Sequence, residues 1–485
     1  MNWKTISRNV GYALLVSALF MFIALLIALF GKEDTAIAPL SISFLLTFIF
    51  GVFPFIFVRK TAAITMREGY VIIVLSWLLS FVFGMLPYVL WGGPFTVINA
   101  WFESVSGFTT TGASILEEVE SLPKALLFWR ASTHFIGGFG VVVFLLLIIP
   151  SSSPMRLRLT NMELSSLSKD SYNVRANQTV YIFTSIYLGM NIVAFLTYVI
   201  AGMVPFDAIC HSFSVCATGG FSSRNMSIAS FHSLPITLVT MFFMYASSLH
   251  FGMLYITIVT RSLKPLNNDV FKFFTLTLVA GSVIVATVLK TGGVVETWPR
   301  AFLDGSFQLL SYTSTTGFAI CDNSVWPLFP AVLIMVLGIQ CGMAGSTTGG
   351  VKSDRILLVI KSMSVHIKRS INPSTVNEVR MNGRPISDKD VEPHVLYVAL
   401  FFIVFVVSTL LCLAAGSDNP NAIMGTLCCL DNVGPAAGPT IGSLGNYSAE
   451  PSLAKFFYTI DMFMGRVEIY PVLAVASFLF TGKKR

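Results

Sequence analysis

Four short runs of glycine, threonine and other small residues stand out in the chain. They are Ser106-Gly107-Phe108-Thr109-Thr110-Thr111-Gly112-Ala113, Val215-Cys216-Ala217-Thr218-Gly219-Gly220-Phe221, Tyr312-Thr313-Ser314-Thr315-Thr316-Gly317-Phe318 and Leu430-Asp431-Asn432-Val433-Gly434-Pro435. Aligned on Gly112, Gly219, Gly317 and Gly434, they recur at intervals of 107, 98 and 117 residues, the mark of a degenerate internal repeat. Glycine reaches backbone dihedrals closed to other residues, so a strand of this composition can turn successive carbonyls toward one axis. Four such strands would replace the water shell of a dehydrated cation with backbone oxygens. Threonine hydroxyls would add further oxygens, and a short helix before each turn would aim its negative end at the ion. A single turn of this kind reads more readily as loop punctuation or a close helix contact; four in register favour the ion reading.

The elements that must position these turns are membrane helices. Of 485 residues, 54% are hydrophobic and 11% charged, with a mean hydropathy of +0.76, whereas a soluble protein carries about 25% charged residues. This excludes an ordinary soluble enzyme and makes nucleic-acid binding an unlikely use of the +7 net charge. Apolar stretches long enough to span, about 17 to 25 residues each, fall near 11–30, 41–58, 70–91, 126–150, 179–201, 232–260, 271–289, 327–351, 394–415 and 453–480. Ten spans are therefore expected, and the first is read as a retained helix rather than a cleaved signal. The last eight form pairs that enclose half-apolar inserts near 94–113, 206–222, 299–319 and 420–437. These are too short to cross and are expected to be re-entrant, since irregular backbone at membrane depth needs protein or a cavity around it. Most of the 31 lysines and arginines lie in segments on one side, at Arg59-Lys60, Arg156/Arg158, Arg261/Lys264, Lys361 to Lys389 and Lys483-Lys484-Arg485. By the positive-inside rule both termini are then cytoplasmic and all four inserts open outward. The polar loop 361–393 is long enough to dock a cytosolic partner.

Two further features bear on ion flow. The span after the third turn is interrupted by Gly338, Gly342, Gly345, Gly349 and Gly350, with Ser346, Thr347 and Thr348 between them. Each glycine costs about 1 kcal/mol against alanine in a helix, so a flexible loop across the inner cavity is expected, with close helix packing as the alternative. The near match to a phosphate-binding loop is rejected because no strand precedes it. Arg466 lies inside the last span, where a charge costs about 2.5 to 3.5 kcal/mol on insertion scales. It either projects into the pore or pairs with Glu468 or Asp461. The six histidines (His134, His211, His232, His250, His366, His394) lack ligand spacing and read as core or interface residues. The seven cysteines show neither a disulfide framework nor a zinc site. Glu117, Glu118, Glu120 and Asp322 flank the outer mouth and either concentrate cations or form a solvated rim.

The four glycine-bearing loops resemble the Trk/Ktr/HKT superfamily of cation-uptake proteins, nearest its bacterial TrkH branch. So do Trp129-Arg130 with Gly137-Gly138-Phe139-Gly140, Tyr312 to Gly317, and Gly-Met-Ala-Gly-Ser-Thr-Thr-Gly-Gly at 342–350. The resemblance covers essentially the whole chain. It implies an all-α polytopic fold of four potassium-channel-like M1–P–M2 repeats with pseudo-fourfold symmetry, at 70–177, 178–268, 269–393 and 394–485, behind an N-terminal helix pair at 1–69. It further implies a homodimer in the bacterial inner membrane, K⁺ as the transported ion with no organic cofactor, and gating by a cytosolic nucleotide-binding ring of TrkA-type RCK subunits. In the family a serine at the first filter glycine accompanies sodium preference, so Gly112 implies K⁺ and Rb⁺. The matching basic residue is thought to hinder flow beneath the filter, which places Arg466 with the gate.

The expected filter comprises Thr110, Thr111, Gly112, Ala217, Thr218, Gly219, Thr315, Thr316, Gly317, Asn432, Val433 and Gly434. The expected gate comprises Gly342, Gly345, Ser346, Thr347, Thr348, Gly349, Gly350 and Arg466. The fourth loop departs most from the others, with Asn432-Val433 in place of threonine. An H⁺- or Na⁺-coupled K⁺ symporter is the rival reading. It is disfavoured because its signature is inverted repeats, whereas these run in parallel. A membrane enzyme would need a convergent acid, base or metal set, and none stands out.

Overall fold

The computed structural model describes residues 1–31, 35–58, 64–148, 176–374, 377–436 and 440–480. The expected basic stretches Arg59-Lys60, Arg156/Arg158 and Lys483-Lys484-Arg485 lie outside the described residues. Long apolar helices dominate, as the composition requires. Six are long and apolar enough to cross a membrane: Trp3–Phe30, Ile37–Phe57, Arg67–Trp91, Tyr181–Ile200, Asp269–Thr291 and Asp388–Ala414. The helix Lys124–Ile148 covers the described part of the span expected at 126–150.

The first two helices form a hairpin that closes on small residues. A Cβ at Gly11 would stand 2.7 Å from the carbonyl oxygen of Gly51, so the backbones meet without side chains between them. The third helix begins with a capping box between Thr65 and Glu68. Glu68 also accepts the amide of Asn2 at 2.6 Å, tying the start of the chain to this helix.

Where ten spans are expected, three of the last four second helices are broken. The span at 232–260 is Leu234–Ser247 followed by Phe251–Thr260, bent by 104°. The span at 327–351 is helical only over Leu328–Gly338; an irregular segment follows, and the amphipathic helix Ser353–Ile371 continues beyond it. The span at 453–480 divides into Ser452–Arg466 and Ile469–Phe480, with Glu468 at φ 64° in the break.

The four inserts are short helices, Val97–Phe108, Pro205–Cys216, Trp298–Thr313 and Asn419–Leu430. Three of them carry proline in the first turn, where its missing amide costs nothing.

Within the helical fold, the expected polar loop at 361–393 carries a short exception. Val379–Met381 and Arg384–Ile386 pair as an antiparallel hairpin. Asn382 and Gly383, both at positive φ, supply the turn that two-residue hairpins favour. The hairpin is docked, because Asp269 accepts Lys361 Nζ at 2.6 Å and the amide of Asn382 at 2.9 Å.

Candidate functional site: four converging loops and a closing segment

Each of the four short helices ends in the same way. In the first, the amide of Thr110 donates to Gly107 O at 3.1 Å and that of Thr111 to Ser106 O at 2.9 Å. Thr218 and Gly219, Thr315 and Thr316, and Asn432 and Val433 repeat this pair of bonds with 2.8–3.2 Å spacings. This is the Schellman ending, which puts one residue in the left-handed region. Here that residue is Thr110, Thr218, Thr315 or Asn432, at φ 52°, 55°, 54° and 58°. A non-glycine residue there costs about 1 kcal/mol or more, so the surroundings must hold it.

Two residues later stands a glycine at φ 74–82°: Gly112, Gly220, Gly317 and Gly434. The expected alignment on Gly219 is therefore one residue out. Gly220 is the counterpart of Gly112, and Ala217 is the counterpart of Thr109, Ser314 and Asp431 as the capping residue. Counting two residues from the left-handed threonine would have found it.

These glycines close a circuit. A Cβ at Gly112 would lie 2.0 Å from Gly219 O, at Gly220 2.0 Å from Thr316 O, at Gly317 2.2 Å from Val433 O, and at Gly434 2.3 Å from Thr111 O. Each loop thus leans its glycine on the carbonyl of the next, and the fourth returns to the first. Four backbone oxygens, of Thr111, Gly219, Thr316 and Val433, are brought into one ring with no room for a side chain between them.

Hydrogen bonds brace the loops from behind. Ser214 and Ser311 hydroxyls donate to Phe221 O and Phe318 O at 2.7 and 2.6 Å. Asn432 Nδ2 donates to Thr111 Oγ1 at 3.0 Å and to Met462 O at 2.8 Å, which makes the departure from threonine a cross-link between the fourth and first loops. The Trp129-Arg130 motif is structural. Arg130 pairs with Glu103 at 2.5 Å, both buried, donates to Ser222 O at 2.9 Å, and lies 3.6 Å over the Phe221 ring. His134 stacks on Phe221 at 4.1 Å; His211 and His250 are also buried. Gly137 and Gly465 let two second helices approach closely. A Cβ at either would meet the carbonyl ending its neighbouring short helix, Phe108 O at 1.9 Å or Leu430 O at 2.0 Å.

The segment 339–352 lies against this ring. Gly342 packs on Ser248 O, where a Cβ would come within 2.7 Å. Met343 N donates to Ser248 O at 2.8 Å, and Phe251 N to Gly345 O at 3.0 Å, so the bend of the second unit clamps the segment. Ser346 and Thr348 hydroxyls meet at 2.7 Å. Thr347 Oγ1 donates to Cys216 O at 3.0 Å, and Gly349 N to Thr315 Oγ1 at 3.1 Å. Gly350, at φ 56°, backs onto Asp431.

Arg466 is buried and donates to Thr347 O at 2.5 Å and Gly137 O at 3.0 Å. The two acidic residues expected as its partners have contacts of their own. Glu468 is held by Arg355 at 2.7 Å, and Asp461 accepts the Ser408 hydroxyl at 2.6 Å. Nothing in the chain pattern pointed to Arg355, whose guanidinium also lies 4.0 Å from the Tyr397 ring.

At the other mouth, Glu120 is taken up by Arg224 at 3.3 Å and Glu117 by the Ser448 hydroxyl at 2.9 Å. Asp322 caps the amide of Ser324 at 2.9 Å. Arg224 also binds Asp207 at 2.6 Å, whose carboxylate raises the guanidinium above its ordinary value.

Comparison with known proteins gives one consistent picture. The profile of the TrkH family, described as a cation transport protein, matches residues 40–483. The Trk system potassium uptake protein TrkH of Salmonella typhimurium is 31% identical over 98% of both chains. The Trk system potassium uptake protein TrkI of Halomonas elongata is 31% identical over 99% of this chain and 97% of its own. The crystal structure of the potassium transporter TrkH from Vibrio parahaemolyticus superposes with a TM-score of 0.88 at 29% identity, covering 98% of each chain.

Proposed function

The chain belongs to the TrkH family of cation transport proteins, a family of transporters rather than enzymes, and from that premise we propose that it is a potassium uptake pore. The observation that carries this is the closed circuit in which Gly112, Gly220, Gly317 and Gly434 each rest on the next loop's carbonyl. In this reading the four short helices are the pore helices of M1–P–M2 repeats at 70–177, 178–268, 269–393 and 394–485, and the helix pair at 1–69 packs outside them. Thr110 to Gly112, Thr218 to Gly220, Thr315 to Gly317 and Asn432 to Gly434 form the filter. Backbone oxygens replace the hydration shell of K⁺ and Rb⁺, while the helix C-termini contribute their negative ends.

Gly342, Gly345, Ser346, Thr347, Thr348, Gly349 and Gly350 form the gate, and Arg466 adds a fixed positive charge beneath the filter. Such a charge repels an entering cation until the gate moves. Basic residues gathered on one side support cytoplasmic termini in a bacterial inner membrane. The curated relatives are named as members of a Trk system, which supports a pore that works with further components; in this reading it is a homodimer controlled by a cytosolic nucleotide-binding ring of TrkA-type RCK subunits.

The test is tracer flux into liposomes carrying the purified protein under a K⁺ diffusion potential, comparing K⁺, Rb⁺, Na⁺ and Li⁺. Selective K⁺ and Rb⁺ entry without a proton gradient is expected. Entry that requires a proton or sodium gradient would make the protein a coupled symporter instead.

A further inference from the structure

The gate and the filter share atoms. Thr315 Oγ1 accepts the amide of Gly349 at 3.1 Å, the one hydrogen bond on that hydroxyl among the described residues. Gly349 also backs onto the fourth loop, where a Cβ would stand 2.5 Å from Asn432 Oδ1. Its neighbour Gly350 backs onto Asp431 at the same distance, and Thr347 Oγ1 bonds the last carbonyl of the second pore helix, that of Cys216. The segment is thus seated under loops two, three and four. Among the described residues no hydrogen bond joins the segment to the first loop, whose Thr110 Oγ1 is buried without a hydrogen-bond partner.

Resting on the filter reading above, we propose that Thr315 is the positioning residue that couples gate to filter, so that discrimination between K⁺ and Na⁺ depends on where the segment sits. The chain of contacts is short. Thr315 is held at φ 54°, a conformation that persists only under constraint, and the Gly349 amide is one of its constraints. The next residue, Thr316, contributes the carbonyl that packs on Gly220. Withdrawing the segment frees the Thr315 side chain and relaxes the peptide that sets one oxygen of the ring. Filter selectivity follows the number and placement of those oxygens. The segment is therefore part of the filter's scaffold as well as an obstruction below it.

The test uses paired Rb⁺ and Na⁺ tracer fluxes in liposomes for the wild type, Thr315→Val, Thr315→Ser and Gly349→Ala. Valine keeps the shape of threonine and removes the acceptor. Alanine at 349 places a methyl against Asn432 of the fourth loop and so displaces the segment from the gate side. Both are expected to raise total flux and to lower the Rb⁺/Na⁺ flux ratio by about threefold or more, the scale of one lost hydrogen bond, while Thr315→Ser, which retains the hydroxyl acceptor, is expected to lower the ratio less than Thr315→Val. Raised flux with an unchanged ratio in both variants would reduce the segment to a plug and overturn the inference. Thr315→Ser behaving like Thr315→Val would overturn it too, since the hydroxyl would then not be the joint. Should Thr315→Val fail to fold, Thr315→Ala, which also removes the acceptor, takes its place. A wild type that does not distinguish Rb⁺ from Na⁺ would instead sink the filter reading itself.

Discussion

At Gly112 and its three counterparts the space a side chain would need is already filled by the next loop's carbonyl oxygen. Gly112→Ser and Gly220→Ser should therefore both lower the K⁺/Na⁺ flux ratio in liposomes, and either one leaving the ratio unchanged would count against the ring. At Gly219 the obstruction differs, because a Cβ would run into the His134 ring at 2.3 Å. Gly219→Ala is expected to lower the thermal midpoint in detergent, and an unchanged midpoint would count against the packing of His134 behind the second loop. Glu103→Gln offers a stability test of the buttress. It leaves Arg130 buried without its charge partner, a loss of about 3 to 5 kcal/mol, which would show as a large fall in the same midpoint. At this scale the sequence was legible in residue type and off by one in register. Two adjacent glycines, Gly219 and Gly220, fit the pattern equally, and only the left-handed residue two positions before Gly220 decides between them. Arg466 was legible as a buried charge, but its carbonyl partners Thr347 and Gly137 are 119 and 329 residues away, beyond any local pattern.

Among the elements, the broken second helices hold the segment 339–352 in place. The break Arg466-Val467-Glu468 fastens the segment proposed as the gate at two points: Arg466 to Thr347 O, and Glu468 to Arg355 just beyond the segment. Arg466→Ala should raise K⁺ and Rb⁺ flux by removing the charge beneath the filter; unchanged flux from a well-folded variant would deny it that role. Glu468→Gln should raise flux through the other fastening, and combining it with Arg355→Met should add little, because neighbours in one pair are not independent. Fully additive increases would show that the pair does not hold the gate. The third interruption was readable from its five glycines. The bend at Ser247–His250 was not, because neither glycine nor proline marks it and its carbonyls are satisfied by residues of the gate. The hairpin at 379–386 was missed because its strands are only three residues each, too short for an alternating pattern to emerge.

For the molecule as a whole, the proposed uncoupled pore needs only the membrane potential as its driving force. Each charge gains about 2.3 kcal/mol per 100 mV, equivalent to roughly fiftyfold accumulation. Rb⁺ in liposomes held at that potential should approach this limit and stop; accumulation beyond it would require coupling to another ion. The helical architecture was legible from composition and span length, and the fourfold arrangement from the recurrence of one turn. What composition could not carry was how the four turns touch, because that contact is made by backbone. The circuit has a direction: Gly112 rests on the second loop, Gly220 on the third, Gly317 on the fourth and Gly434 on the first. Genetic suppressors should inherit this polarity. A growth defect caused by substituting Gly112 is expected to be relieved by second-site changes around Gly219 in the following unit, and one at Gly434 by changes around Thr111, so that compensation runs round the molecule one way.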